Sequence, residues 1–165
     1  MPAPHRIVPF TAGDTAGIEA LILGIQRGEF GFGITWADQP DLHDIPAFYR
    51  KGAGDFWLAK DAGWRILGSI SLVDLGDGQG ALRKMFVAQE WRGPEHGVGK
   101  GLLDHLMAHA RAARIRSVFL GTTEAFRAAH RFYEKNGFRR VEPADLPAAF
   151  PLMAGDTRFY RRDLA

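Results

Sequence analysis

A chain of 165 residues, 46% of them hydrophobic and 24% charged, is long enough for one globular domain with a sizeable core, taken here as 1–165. A formal charge of +2 excludes a polyanion-wrapping protein, so no nucleic-acid partner is expected, but it leaves room for a local basic site on a small phosphorylated ligand. The absence of cysteine excludes a disulfide framework, a thiolate nucleophile and cysteine-ligated zinc, and with no membrane-length apolar run and no signal-peptide core in MPAPHRIVPF the expectation is a cytoplasmic protein without a membrane partner.

RIVPF at 6–10 reads as a short strand, and TAGDTAGIEALILGIQRG at 11–28 as a helix, with Ile18, Leu21, Ile22 and Ile25 at helical spacing and Asp14 as its cap. The stretch at 29–55 is dense in Gly, Pro, Asp and aromatics, which predicts a loop with a short helix near 41–50. A loop of this length with its own aromatics tends to be functional, so it is the expected acceptor side of a site. Three β-type runs follow, DFWLAK from 55, RILGSISLVDLG from 65 and ALRKMFV from 81, punctuated by glycine turns as in a meander. LLDHLMAHARAARI then sets Leu102, Leu103, Leu106, Met107, Ala110 and Ala113 on one helical stripe, with Arg111 and Arg114 near its C-terminus, where cations suit the dipole. A buried-type strand at 117–122, a helix at 124–137 closed by Asn136 and Gly137, a strand FRRV and a last strand near 157–164 complete a mixed sheet. No internal repeat or linker composition divides the chain.

The stretch RGPEHGVGKGLLDHL at 92–106 puts glycines and Lys100 at the mouth of a helix. Free backbone N–H groups and the positive helix end point the same way there, which suits an anion. The alternative is a turn whose glycines only supply unusual dihedrals. A P-loop is excluded: five residues rather than four separate Gly93 from Gly99, and Gly101 stands where a hydroxyl should meet magnesium. A dinucleotide fingerprint does not fit either, because these glycines follow apparently antiparallel strands.

Downstream, AAHRFYEKNGF places Tyr133 on a helix that leads straight into a strand. In order and spacing, KMFV, AQEWRG, GVGKGLL and AAHRFYEKNGF resemble the core of the GNAT superfamily of acyl-CoA-dependent N-acetyltransferases, over roughly 81–141. The resemblance implies an α/β (α+β type) fold with a mixed, mainly antiparallel central sheet flanked by helices, and acetyl-CoA as cosubstrate with no metal. It implies that the backbone of Phe86 and Val87 bonds the pantetheine arm, that Gly97, Val98, Gly99, Lys100 and Gly101 form the pyrophosphate loop with Arg92 nearby, and that Tyr133 protonates the departing CoA thiolate. The chain departs from the pattern in two extra residues between Gly93 and Gly97. Phe126 replaces the asparagine that often precedes the tyrosine by seven positions, and Ala81 replaces a common glutamate of the central strand. That leaves the general base to be found elsewhere.

Acetyl transfer from a thioester to an amine needs a neutral nucleophile, a polarised carbonyl and a proton for the thiolate. Glu29 and Glu124 are the carboxylates expected near the acceptor, each acting directly or through water, with solvated or capping carboxylates as the alternative. His130 is expected to be packed, and His105 with His109 to be surface histidines, since a third ligand is missing. The aromatics Phe30, Phe32, Trp36, Phe48 and Tyr49, mixed with acids, suit a small-molecule or peptide amine in an aromatic cleft. A homodimer is compatible with this reading, and a non-catalytic acyl-CoA-binding regulatory module is its alternative.

Overall fold

Alternation along the β-type runs decides which side chains go to which face of one seven-stranded sheet. The computed structural model describes residues 5–153 and 155–164; the opening MPAP, read above for signal-peptide character, lies outside the described residues. Strands β1 (His5–Pro9), β2 (Asp55–Asp61), β3 (Ile66–Gly76), β4 (Gln79–Val87), β5 (Ser117–Thr122), β6 (Arg139–Val141) and β7 (Arg158–Asp163) are ordered β1-β2-β3-β4-β5-β7-β6. Every neighbouring pair is antiparallel except β4 with β5, so the expected mixed, mainly antiparallel sheet is present.

Trp57 and Ala59 of β2, Leu82 of β4 and Val118 and Leu120 of β5 pack beneath α3 (Val98–Ala112) and α4 (Arg127–Lys135). The intervening residues Phe56, Leu58 and Phe86 face the other way, toward α1 (Thr15–Leu23) and α2 (Ile45–Tyr49). The predicted stripe of α3 is buried through Leu102, Leu103, Leu106, Met107 and Ala110, each leucine contributing about 1.5–3 kcal/mol. The far half of this second face is covered by the segment before β7, where Phe150 packs with Ala81, Phe119 and Phe159.

Two local expectations are corrected. Asp14 occupies the N-cap position of α1 but makes no side-chain cap bond; its carboxylate turns back to the Thr11 backbone N–H and hydroxyl, both at 2.9 Å, and to Lys60 Nζ at 2.6 Å. An ammonium is a stronger partner for a buried carboxylate than a helix N–H. Helix α4 starts at Arg127 rather than near Glu124, because the chain leaving β5 stays tied to the strand beside it: Thr157 N–H bonds Thr122 O at 2.9 Å and Glu124 N–H meets Thr157 Oγ1 at 3.2 Å.

The middle of the sheet is weakly closed. The β4–β5 ladder holds only Gln79–Ser117, Gly80–Val118 and Ala81–Phe119, while β4 runs on to Val87 and β5 to Thr122. At the point of parting β4 also carries a bulge: Ser71 pairs Arg83 but Ser69 pairs Phe86, so three steps on β4 match two on β3. Lys84 absorbs the extra residue at φ 53°, a left-handed conformation that costs a side-chain-bearing residue about 1–2 kcal/mol. Two buried hydroxyls brace it, Ser69 Oγ donating to Lys84 O and Ser71 Oγ to Arg83 O, each at 2.7 Å.

Candidate active site

Where β4 and β5 part, the backbone of β4 beyond Ala81 turns one edge to a gap instead of to a neighbouring strand. The gap ends at the N-terminus of α3. Gly97 there takes φ 69°, ψ 11°, which only glycine adopts at low cost, and opens the helix without a side-chain cap. A Cβ at Gly97 would meet nothing within 4 Å, and one at Gly99 would meet only the Phe132 ring and Met85 Cε, at 3.7 and 3.8 Å. The bareness at 97–99 therefore serves the space in front of the helix, where free N–H groups suit a phosphate. Gly101 is different, because its Cβ position faces His5 Nε2 at 3.3 Å. Lys100 pairs with Asp104 one turn along on the exposed helix face. A groove of about 570 Å³ continues from there toward α4 and β7, with Lys100, Arg111, Lys135 and Arg162 on its walls.

Arg92 and Glu29, two separate expectations from sequence, meet each other. The Arg92 guanidinium grips Glu29 with both forks, at 2.6 and 2.7 Å, and its Nε donates to Val87 O at 2.9 Å. The pair thus straps the π-helical turn after α1 (Gly24–Glu29) onto the end of β4. Phe86 N and Val87 N belong to the part of β4 beyond the β5 ladder. Glu124 lies at the surface after β5, within 3.4 Å of Arg158 and 3.9 Å of Arg140.

Tyr133 is 5% exposed, under the α3 and α4 side of the sheet, its ring against Phe132, Phe138 and Tyr160. Burial alone pushes its phenol well above the ordinary tyrosine range, so it stays protonated at neutral pH. Among the described residues no group hydrogen-bonds its hydroxyl, whereas the neighbouring Tyr160 donates to Glu134 at 2.6 Å. A proton donor without a protein partner is what a leaving thiolate requires. His130 is packed as expected, 4% exposed with Nε2 2.9 Å from Thr123 O. His105 and His109 lean on the Trp57 ring, and His109 Nε2 lies 2.7 Å from Ala53 O. Among the described residues no three His, Asp or Glu side chains gather as metal ligands.

The opposite face of the gap joins the expected aromatics Phe30 and Phe32 to charged groups that sequence reasoning passed over. The rings of Phe30, Phe32 and Phe86 surround Phe126, with centroids 4.8, 5.7 and 6.4 Å from it. Beside them the bulge presents Arg83 and Lys84, whose side chains are 9% and 7% exposed. Lys84 Nζ donates to Gln39 Oε1 at 2.8 Å and lies 3.8 Å from Asp41, which takes the Tyr49 hydroxyl at 2.5 Å. Burial lowers the Lys84 ammonium to about 8 against the attraction of Asp41 and Asp156, Arg83 adding to the lowering. Asp156 arrives from the segment before β7, and burial raises its carboxyl above the ordinary range despite the Met153 N–H, Arg83 and Lys84. The signal was present in ALRKMFV, where two adjacent cations interrupt a buried strand.

A sheet parted at its one parallel pair, with a bulge on β4 and a bare helix N-terminus at the gap, defines an acyl-coenzyme A fold. Residues 22–138 match the acetyltransferase (GNAT) family, and the chain belongs to that family. It is 37% identical to an acetyltransferase of the GNAT family from Staphylococcus aureus, with a TM-score of 0.94 over 98% of this chain and 100% of that one. An acetyltransferase from Streptococcus agalactiae is 28% identical, with a TM-score of 0.91 over 97% and 98% of the two chains. Among curated proteins, N-acetylaspartate synthetase of Danio rerio is 37% identical over 103 residues, 61% of this chain and 36% of that protein. The human N-acetylaspartate synthetase is 33% identical over 107 residues, 64% and 34% of the two. The chain therefore spans about a third of the length of these curated relatives. No helix among the described residues is long and apolar enough to cross a membrane.

Proposed function

We propose that this chain transfers an acetyl group from acetyl-CoA directly to a primary amine. The observation that carries the reading is the gap where β4 and β5 part, with the bare N-terminus of α3 at its end and the nearly buried Arg83 and Lys84 beside it on β4. Donor and acceptor then approach from opposite faces of the sheet. In this reading the free edge of Phe86 and Val87 aligns the pantetheine arm, the N–H groups of Val98, Gly99 and Lys100 take the pyrophosphate, and the backbone at the bulge polarises the thioester carbonyl. The Arg92–Glu29 pair fixes the end of β4 in place, and Glu124 is left as a surface carboxylate beyond β5. With no cysteine to carry an acetyl-enzyme, the amine attacks the thioester in a ternary complex and Tyr133 gives the sulfur its proton. The curated relatives, named for making N-acetylaspartate, support an amine as the acceptor.

The test is CoA thiol release from acetyl-CoA across an amine library, with Tyr133→Phe alongside. That variant keeps the ring and deletes the proton, so turnover is expected to fall about a hundredfold or more, with acetyl-CoA affinity and melting temperature unchanged. Normal turnover in the variant would make Tyr133 a packing residue. Tight CoA binding with no release from any amine would make the chain a binding module.

A further inference from the structure

The Arg83 guanidinium is nearly buried, yet among the described residues it meets no oxygen acceptor at hydrogen-bond distance. Its Nη2 touches the Met153 thioether at 3.0 Å, Phe48 lies 5.4 Å beneath its Cζ, and Asp41 is 3.9 Å away. Five N–H donors in a planar fork with one sulfur contact are poorly satisfied, and a carboxylate is the group that matches the fork. Lys84 is better served, through Gln39 and Asp41. Asp156 stands over Gly121, the β5 residue two positions beyond the end of the parallel ladder: a Cβ at that glycine would lie 2.6 Å from Asp156 Oδ2. The one hydrogen bond to its carboxylate among the described residues comes from Met153 N–H at 3.2 Å. Arg83 and Lys84 act on Asp156 at longer range without closing an ion pair. A donor-rich cation and an acceptor-rich carboxylate thus face the same gap unjoined, in the sign order of a zwitterion.

We propose that the acceptor is a free amino acid whose carboxylate sits on the Arg83 guanidinium and whose ammonium sits on Asp156. The seat stands on the geometry above; the chemical step rests on the acetyl-transfer reading. In that step the Asp156 carboxylate takes one proton from the ammonium. The nitrogen lone pair forms the C–N bond at the thioester carbonyl, the C–S bond breaks, and sulfur takes the Tyr133 proton. The nitrogen's second proton restores Tyr133 through solvent, and Asp156 releases its own. The products are the N-acetylamino acid, CoA thiol and one proton. Burial raises the Asp156 carboxyl, so the rate should fall on the acid side at a pH above the ordinary carboxylate range.

The test begins with calorimetry on the CoA-saturated protein, titrated with the common L-amino acids and their α-carboxamides. At least one amino acid should bind, and its carboxamide about ten- to a hundredfold more weakly, as expected for losing a charge-assisted pair. Arg83→Met should erase that difference, and Arg83→Lys should keep part of it. Asp156→Asn should weaken amino-acid binding about ten- to a hundredfold and lose acetyl transfer together with the acid limb of the pH–rate profile. Carboxamides binding as well as their parents, or no amino acid binding, would overturn the proposal; both outcomes are read on the unmutated chain even if a variant fails to fold. Arg83-dependent binding with no thiol release would support the seat and overturn the transfer reading and the proton role of Asp156. Release from amines that lack a carboxylate, as fast as from amino acids, would support transfer and overturn the seat.

Discussion

Lys84 shows how one residue can tie conformation, charge and site together. Its φ of 53° makes the bulge, and the same bulge drives its ammonium into a buried space among Gln39, Asp41, Arg83 and Asp156. Because burial lowers it from 10.5 to about 8, the unfolded chain binds more protons at this side chain across that interval. The cost of keeping the ammonium charged is fully present below pH 8 and is relieved as pH rises toward 10.5. Lys84→Met removes the titration, so the stability of the wild type relative to the variant should rise between pH 8 and 10, read from urea midpoints. A flat difference over that range would mean that Lys84 keeps its ordinary affinity for protons. Sequence did not reveal this residue, since a lysine in a strand reads as solvent-facing until the bulge is known. For Tyr133, FYEKNGF gave its place on a helix leading into a strand, but not its isolation from any partner.

At the scale of elements, the mouth of α3 carries the sharpest expectation. A Cβ at Gly99 would touch only Phe132 and Met85 at ordinary contact distance, so a side chain is accommodated by the protein and lost only to the ligand. Gly99→Leu should leave the melting temperature unchanged or raised, leucine being the better helix former by about 1 kcal/mol. Acetyl-CoA affinity should fall about tenfold or more, as one or two backbone bonds to phosphate are blocked. Unchanged affinity in calorimetry would remove this loop from the coenzyme site. Helices and strands were legible here because their apolar periods were regular, as in Leu102, Leu103 and Leu106. The start of α4 was not, because a long-range tie between Thr122 and Thr157 decides it. The same holds for Asp14, whose partner Lys60 is far along the chain.

For the molecule as a whole, the decisive fact is that two halves of one sheet are joined in backbone by a short ladder, with hydrophobic clusters above and below. The amides of Met85 and Val87 on the open edge should exchange with solvent faster than those of β3, and slow on addition of CoA. Exchange unchanged by CoA would place the pantetheine arm elsewhere. The order of elements announced this architecture, and the motif spacing announced the bare mouth of α3 beside the open edge of β4. Of the proposed acceptor face, the loop at 29–55 was singled out by its length and aromatics, whereas the bulge at 83–84 and Asp156 were not, because they share no pattern with it in sequence.

The short ladder also changes what counts as a complete molecule. A strand edge left open in mid-sheet is a place where the chain by itself is unfinished, and a pantetheine arm seated there contributes the missing row of partners for the backbone. On the proposed reading the coenzyme would be a seam as well as a reagent: each turnover would unpick it when CoA departs and sew it again when acetyl-CoA arrives. Ligand at a hundred times its dissociation constant adds about 2.7 kcal/mol to the folded state. The robustness of this protein in a cell would therefore follow the filling of its thioester pool, and a starved cell would hold a looser version of the same sequence.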